Sequence, residues 1–414
     1  MSLWPVKTQG GEVNCVAISG NGKVVLAGTY FFSGTVPAML GTYAYDASGN
    51  VLWKHVAAPV TGDNGVYWVA VSRDGKWAAS GGGHHKVPPA ATRGTGYLFA
   101  HEVATGSTTT LLNANIGGVN MVALSGDGSH LVAGGDAAYV FARAGTTFGP
   151  PVVLNVAASE AVVAVAISDD GTWVVYGTSS GNVGLYATKP VVPALAGPVN
   201  WTAPKGHYIK SVAMAADGSG FAVLTTNRAN ATGGTPIECN AYFFSLNSSD
   251  PPNYFPATRA PKFPAWPLTG CNGTLSIAIN AYGTRVATAG NVGSGSSTSG
   301  YVFLFDAVSN AQLWVKPTLH GPNSVSMDAA GQQIAVADGF LSAGAFYLFD
   351  AVGAAVPING LLPNQPGAVV SWTIQVASDG SAIAAGGDDA TVYYYAAAAN
   401  APAPPAAPTN LRIV

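Results

Sequence analysis

The adjacent pair His84 and His85, followed closely by Lys86 and Arg93, is the most conspicuous concentration of chemistry-bearing side chains in this 414-residue chain. Two imidazoles can ligate a metal, but a site needs a third ligand. The candidates are His207, Asp63 and His320 on neighbouring loops. Solvated loop histidines are the simpler expectation. Carboxylates are scarce, at 16 Asp and 4 Glu. Asp74, Asp127, Asp170, Asp217 and Asp379 precede turn glycines, and Asp46, Asp306 and Asp350 follow aromatic runs, so half the aspartates have an architectural use. Glu12, Glu102, Glu160 and Glu238 are scattered, and no paired-carboxylate glycosidase site suggests itself. Asp388–Asp389 reads as turn chemistry. No Gly-x-Ser-x-Gly elbow opens a helix, GSGSS at 293–297 reads as a flexible loop, and no phosphate-cradling loop is present. No catalytic residue and no metal ligand set is assigned.

Only 9% of the residues are charged, against about 25% in an ordinary globular domain. The net charge is -3 and the pI near 6.1, so there is no basic excess to neutralise phosphates, and nucleic-acid binding is excluded. An apolar content of 48% excludes disorder. The mean hydropathy of +0.27 comes from small apolar residues spread along the chain. No apolar run reaches the roughly 18 residues of a membrane span.

The elements that would position a site are repeats. The phrase apolar-x-x-Val-Ala-apolar-Ser-x-Asp-Gly occurs as VNCVAISGNG (13–22), VYWVAVSRDG (66–75), VNMVALSGDG (119–128) and VVAVAISDDG (162–171). Looser copies are IKSVAMAADG (209–218), TLSIAINAYG (274–283), PNSVSMDAAG (322–331) and SWTIQVASDG (371–380). Eight copies at a mean spacing of about 51 residues match one four-stranded propeller blade each. The phrase is strand a, and its Asp-Gly-type end is a hairpin turn. Strand b is a short apolar run that ends in glycine, such as KVVLAG. Strand c is aromatic, such as YAYD (43–46) and YLFD (347–350), and strand d is variable, such as VLWKHV (51–56) and QLWVKP (312–317). After YYYA (393–396) the eighth unit lacks strand d, whereas LWPVK (3–7) matches the strand-d pattern. The N-terminal segment is therefore expected to complete the eighth blade and remove both sheet edges. The expected fold is all-β, an eight-bladed propeller over residues 3–397, with a Pro/Ala-rich linker and the possible start of another module over 398–414.

With these residues the chain resembles the WD-repeat propeller superfamily, whose a–b hairpin pattern positions 66–81 follow closely. It departs from that family where Phe-Asp, Tyr-Asp or Phe-Ala replaces the Trp-Asp pair after strand c, and its Gly-His dipeptide before strand a is read as absent. GNVLW (49–53) and QLW (312–314) resemble the tryptophan motifs of quinoprotein-like eight-bladed propellers. That resemblance implies a quinone dehydrogenase with a calcium-holding pocket at the channel mouth, where Lys210 and Asn side chains would have to serve. APTNLRI, near the C-terminus, resembles the opening strand of a fibronectin type III module and implies a longer modular protein.

Propeller topology places b–c and d–a loops on one face. The long b–c loops of blades one, two and five and the segment 247–273, read as a d–a loop and carrying Trp266, are assigned to that face as the place where binding resides. A second candidate set is the residue eight before each closing glycine: Asn14, Tyr67, Asn120, Val163, Lys210, Leu275, Asn323 and Trp372. Its polar and aromatic members could hydrogen-bond and stack on a sugar or peptide, or simply hold channel water. Ligand-binding candidates are thus Asn14, Tyr67, Asn120, Lys210, Asn323, Trp372, His84, His85, Arg93 and Trp266. Cys15 reads as a small buried thiol. Cys239 and Cys271 start neighbouring segments on one face, so a disulfide is geometrically possible, with two independent thiols the simpler expectation. Low charge and a modular tail suggest a secreted, periplasmic or bacterial surface protein, although MSLW shows no signal peptide. The expected function is a monomeric, non-catalytic module that binds a protein or glycan without a cofactor. The alternative is an enzyme, either dependent on pyrroloquinoline quinone and calcium or a metal-assisted hydrolase or lyase.

Overall fold

The computed structural model describes residues 3–9, 11–30, 40–56, 65–83, 96–114, 116–191, 197–227, 237–268, 271, 273–292, 299–340, 343–356 and 370–396. They form eight antiparallel sheets in chain order, each a blade, and the fold is an eight-bladed β-propeller. In blade one the strands are a (Glu12–Ile18), b (Val24–Tyr30), c (Gly41–Asp46) and d (Val51–Val56). The other blades repeat this order with two variations. Blade three carries an extra hairpin strand (Thr147–Phe148) beside strand d (Val152–Asn155). Blade seven has three strands among the described residues, with the pairing Phe349–Ala355 as the start of a fourth.

The ring closes as the sequence implies. Leu3–Lys7 pairs with strand c of blade eight (Thr391–Ala396) from Leu3–Tyr395 to Lys7–Thr391. Trp4 stacks on Tyr394 at 5.1 Å and donates its indole N–H to Ala47 O, in the c–d turn of blade one, at 3.0 Å. The same clasp recurs in strand d of three other blades. Trp53 donates to Val103 O, Trp266 to Asn310 O and Trp314 to Ala351 O, each in the c–d turn of the following blade. This clasp is what the Leu-Trp motifs encode.

A second closure runs around the face of the a–b turns. Backbone N–H groups of Gly20, Asp74, Gly126, Asp169, Asp217, Ala281, Ala329 and Asp379 each donate to a carbonyl in the a–b turn of the next blade, at 2.8–3.1 Å. The last of them, Asp379 to Gly20, joins blade eight to blade one. The Ser-x-Asp-Gly phrase sets these turns. Ser72 Oγ accepts the Trp77 N–H and donates to Asp74, and Ser125 and Ser168 repeat the pattern.

Low charge follows from the packing. Strand b lies between two strands and between two neighbouring blades, and it is buried along its whole length in blades two, four, five and eight. Its glycines make room for the next blade. A Cβ on Gly28, Gly81, Gly134, Gly177 or Gly386 would come within 2.3–2.8 Å of Val66, Val119, Val162, Ile209 or Val13, respectively. Each of these apolar residues belongs to strand a of the following blade or stands just before it, and each is at most 2% exposed.

Two sequence expectations are corrected by the fold. The insertion 247–265 connects strand c (Cys239–Ser245) to strand d (Trp266–Pro267) of blade five, so it is a c–d connection on the a–b face rather than a d–a loop. Within it Phe255 is fully buried against Phe221 and Phe244. A Gly-His dipeptide does precede one strand a: Gly206–His207 opens blade five, with His207 buried and its Nδ1 3.1 Å from Thr225 Oγ1 on strand b.

Candidate functional site

Near the start of strand a one residue drops out of the ladder. In blade one Val13 pairs with Thr29 and Cys15 with Gly28, so Asn14 is an extra residue, a β-bulge. The same register shift isolates Tyr67, Val163, Lys210, Leu275, Asn323 and Trp372. In blade three Asn120 N donates to Gly134 O at 2.8 Å while Met121 is paired with Gly134, which puts Asn120 in the same role. All eight positions singled out in the repeat phrase are bulges. A bulge re-aims a side chain. Here strand a is innermost, and the bulges fall near its start, on the b–c and d–a side. Where side-chain exposure is described, every bulge residue is partly buried.

Two of their hydrogen bonds tie neighbouring blades together and two stay within a blade. Asn14 Nδ2 donates to Tyr67 O in the next blade at 2.9 Å, and Asn120 Nδ2 to Val162 O in the next blade at 2.9 Å. Asn323 Nδ2 donates to Gly339 O at 3.0 Å, and Tyr67 Oη to Gly83 O at 2.6 Å, each at the far end of strand b in its own blade. Tyr67 also lies 5.6 Å, ring to ring, from Tyr30. The bulge residues are thus held at the channel mouth.

The other candidates do not join this set. His84, His85, Arg93 and Asp63 lie outside the described residues. Trp266 is on the outermost strand, 6% exposed, in its clasp to blade six. His207 is committed to Thr225 and Glu238, and His320 donates its backbone N–H to Asp338 Oδ2 at 2.9 Å in blade seven. Among the described residues no group of three His, Cys, Asp or Glu side chains is placed to hold a metal.

Several groups escaped the sequence reading. Glu12 and Asp388, 376 positions apart in numbering, become neighbours where blade eight meets blade one. Burial and the Asp388 charge raise the Glu12 carboxyl above its usual range. Only the ring closure brings them together, so no local signal marked them. Asp388 also accepts the Val370 N–H at 2.8 Å, and Asp389 accepts the Thr391 N–H and the Tyr393 hydroxyl, which is the expected turn chemistry. Asp338 is completely buried, and burial raises its pKa. Cys15 is the expected inert thiol, pushed up to about 12 by burial. Cys239 and Cys271 form a disulfide with Cα atoms 6.1 Å apart, rather than two independent thiols. It anchors the strand-d side of blade five, where only two residues pair in the ladder.

The architecture and the bulge ring define the class of protein, a closed eight-bladed β-propeller. Among solved structures, the β-propeller domain of Cps50 (Swd1) from Myceliophteria thermophila is 12% identical, covers 95% of this chain and 100% of its own, and superposes with a TM-score of 0.54. A chain of the mitotic checkpoint complex is 14% identical over 80% of this chain and 87% of its own, also with a TM-score of 0.54. At such identities the likeness is one of fold. No family model matches the chain, and no curated protein does.

Proposed function

We propose that the chain is a non-catalytic binding module that receives a protein or glycan ligand on its b–c and d–a face, at the mouth of the channel. The observation that carries this reading is the difference between the two faces. Around the a–b face the turns are knit by eight backbone hydrogen bonds, with small residues at most of the linking positions. On the other face eight bulges hold side chains of differing chemistry on a rigid frame, a common arrangement for recognition. A propeller chain of similar fold occurs in the mitotic checkpoint complex, a protein assembly. The Cys239–Cys271 disulfide supports an extracellular, periplasmic or cell-surface location, where such bonds persist. Closure of the ring within one chain supports reading the module as a monomer.

The test is a combined glycan and peptide array probed with three proteins: wild type, Tyr67→Ala/Trp372→Ala, and Arg73→Ala on the a–b face. Wild type and Arg73→Ala bind at least one array member, and the double variant loses it. Turnover of a substrate by the wild type, or binding lost only in Arg73→Ala, contradicts the reading.

A further inference from the structure

We propose that Asn323, Trp372, Asn14, Tyr67 and Asn120 form a binding site for a neutral oligosaccharide. This inference deepens the reading of the channel mouth as the ligand-binding face and rests on it. The five residues are the bulges of blades seven, eight, one, two and three, which are consecutive around the closed ring. They alternate between amide and aromatic side chains through the whole arc. The remaining blades carry Val163, Lys210 and Leu275 at the same position, so the pattern is confined to one side of the mouth.

The orientation of the amides follows from their partners. Asn14, Asn120 and Asn323 each face a backbone carbonyl, which can only accept, so each must present its NH2 group there. The Oδ1 atoms of Asn14 and Asn120 are then turned the other way as acceptors. The arc therefore sets amide acceptors beside aromatic side chains. A matching ligand supplies donors along its edge and apolar faces between them. A sugar chain has both, in hydroxyl groups and in the C–H faces of its rings, which stack on aromatic residues. A peptide backbone brings a carbonyl for every N–H. Where such a carbonyl met an Asn oxygen it would be left unpaired, at a cost.

The experiment is saturation-transfer NMR of the full chain with cellohexaose, mannohexaose, maltohexaose, xylohexaose and chitohexaose at millimolar concentration. At least one gives transfer. Trp372→Ala and Tyr67→Ala each weaken its binding about ten-fold or more. Tyr67→Phe, which keeps the ring, stays within a few-fold of wild type, and Arg73→Ala on the a–b face leaves binding unchanged. Melting curves that match wild type establish that the variants are folded. Absence of transfer from every sugar overturns the proposal, as does transfer undiminished in both alanine variants. If a peptide from the array binds through Trp372 and Tyr67 while no sugar does, the oligosaccharide inference fails and the reading of the face stands. If neither class of ligand depends on these residues, both fail.

Discussion

Ile209 of blade five fills the space that a side chain on Gly177 of blade four would need: a Cβ there would lie 2.4 Å from Ile209 Cγ2 and 2.9 Å from Ile209 Cβ. The pair explains two features of the repeat at once, the glycine that ends strand b and the apolar residue that opens the next strand a. Lys210, the residue after Ile209, is the bulge of this blade.

Gly177→Ala should therefore destabilise the fold by about 1–3 kcal/mol, as overpacking of a tight interior does. Ile209→Ala alone should cost about 2–5 kcal/mol. Because the second substitution removes the group that the first one hits, the double variant should lose less than the sum, with a coupling of about 1 kcal/mol or more. Urea denaturation of the four proteins measures this. Strict additivity would show that the two residues are not in contact.

Closure by the N-terminal strand can be tested at Trp4. Trp4→Ala removes a half-buried ring, its stack on Tyr394 and its bond to Ala47. A loss of about 2–3 kcal/mol is expected, below the range for a fully buried tryptophan. Deleting residues 1–7 should go further and expose strand c of blade eight as an open edge, which promotes association. Light scattering should find oligomers of the truncated chain. A monomer with unchanged melting temperature would mean that closure by this strand contributes nothing.

The Cys239–Cys271 bond closes a loop with a sequence separation of 32. In the chain-entropy description such a link contributes about 3–4 kcal/mol. Reduction, or Cys239→Ala/Cys271→Ala, should lower the melting temperature, and local hydrogen exchange should rise first around Trp266 and Leu268. Identical melting with and without reductant would contradict this role.

Acid sensitivity should centre on His101, which is fully buried between Ser80 Oγ and Thr108 Oγ1, each 2.9 Å from a ring nitrogen. Burial, with a smaller contribution from His55, lowers its pKa to about 3. The unfolded chain therefore binds the proton more readily, and stability present above about pH 6.5 is lost as pH falls towards 3. Asp338 has the opposite sign. Its pKa is raised, so its contribution is present at low pH and lost as pH rises through the folded value. His101→Gln should flatten the stability profile between about pH 6 and pH 4. Asp338→Asn should be neutral or stabilising at pH 7, since it removes a buried charge. Both are read from melting temperature against pH, and an unchanged slope for His101→Gln contradicts the assignment.

The sequence makes the ring legible because each blade repeats the same constraints. Val-Ala-x-Ser-x-Asp-Gly encodes a strand and a hydroxyl-braced turn, and Leu-Trp encodes the clasp to the next blade. The bulge positions fall on one of the two variable columns of the repeat phrase, the one that runs from Asn14 to Trp372. What could not be read was the pairing of distant residues. Glu12 meets Asp388 only through the ring closure, whereas the Cys239–Cys271 bond is one of the two outcomes the sequence allows. The insertion 247–265 was placed on the wrong face because strand d of blade five has just two paired residues and a Pro-rich approach, which hides it as a strand.

Hydrogen–deuterium exchange with and without the array-selected ligand tests the central claim most directly. The account predicts slowed exchange at the strand-a starts, around residues 13–16, 66–69, 120–122, 323–325 and 372–374, with no change in the a–b turns. Protection confined to the a–b turns or to the outer strands would contradict it.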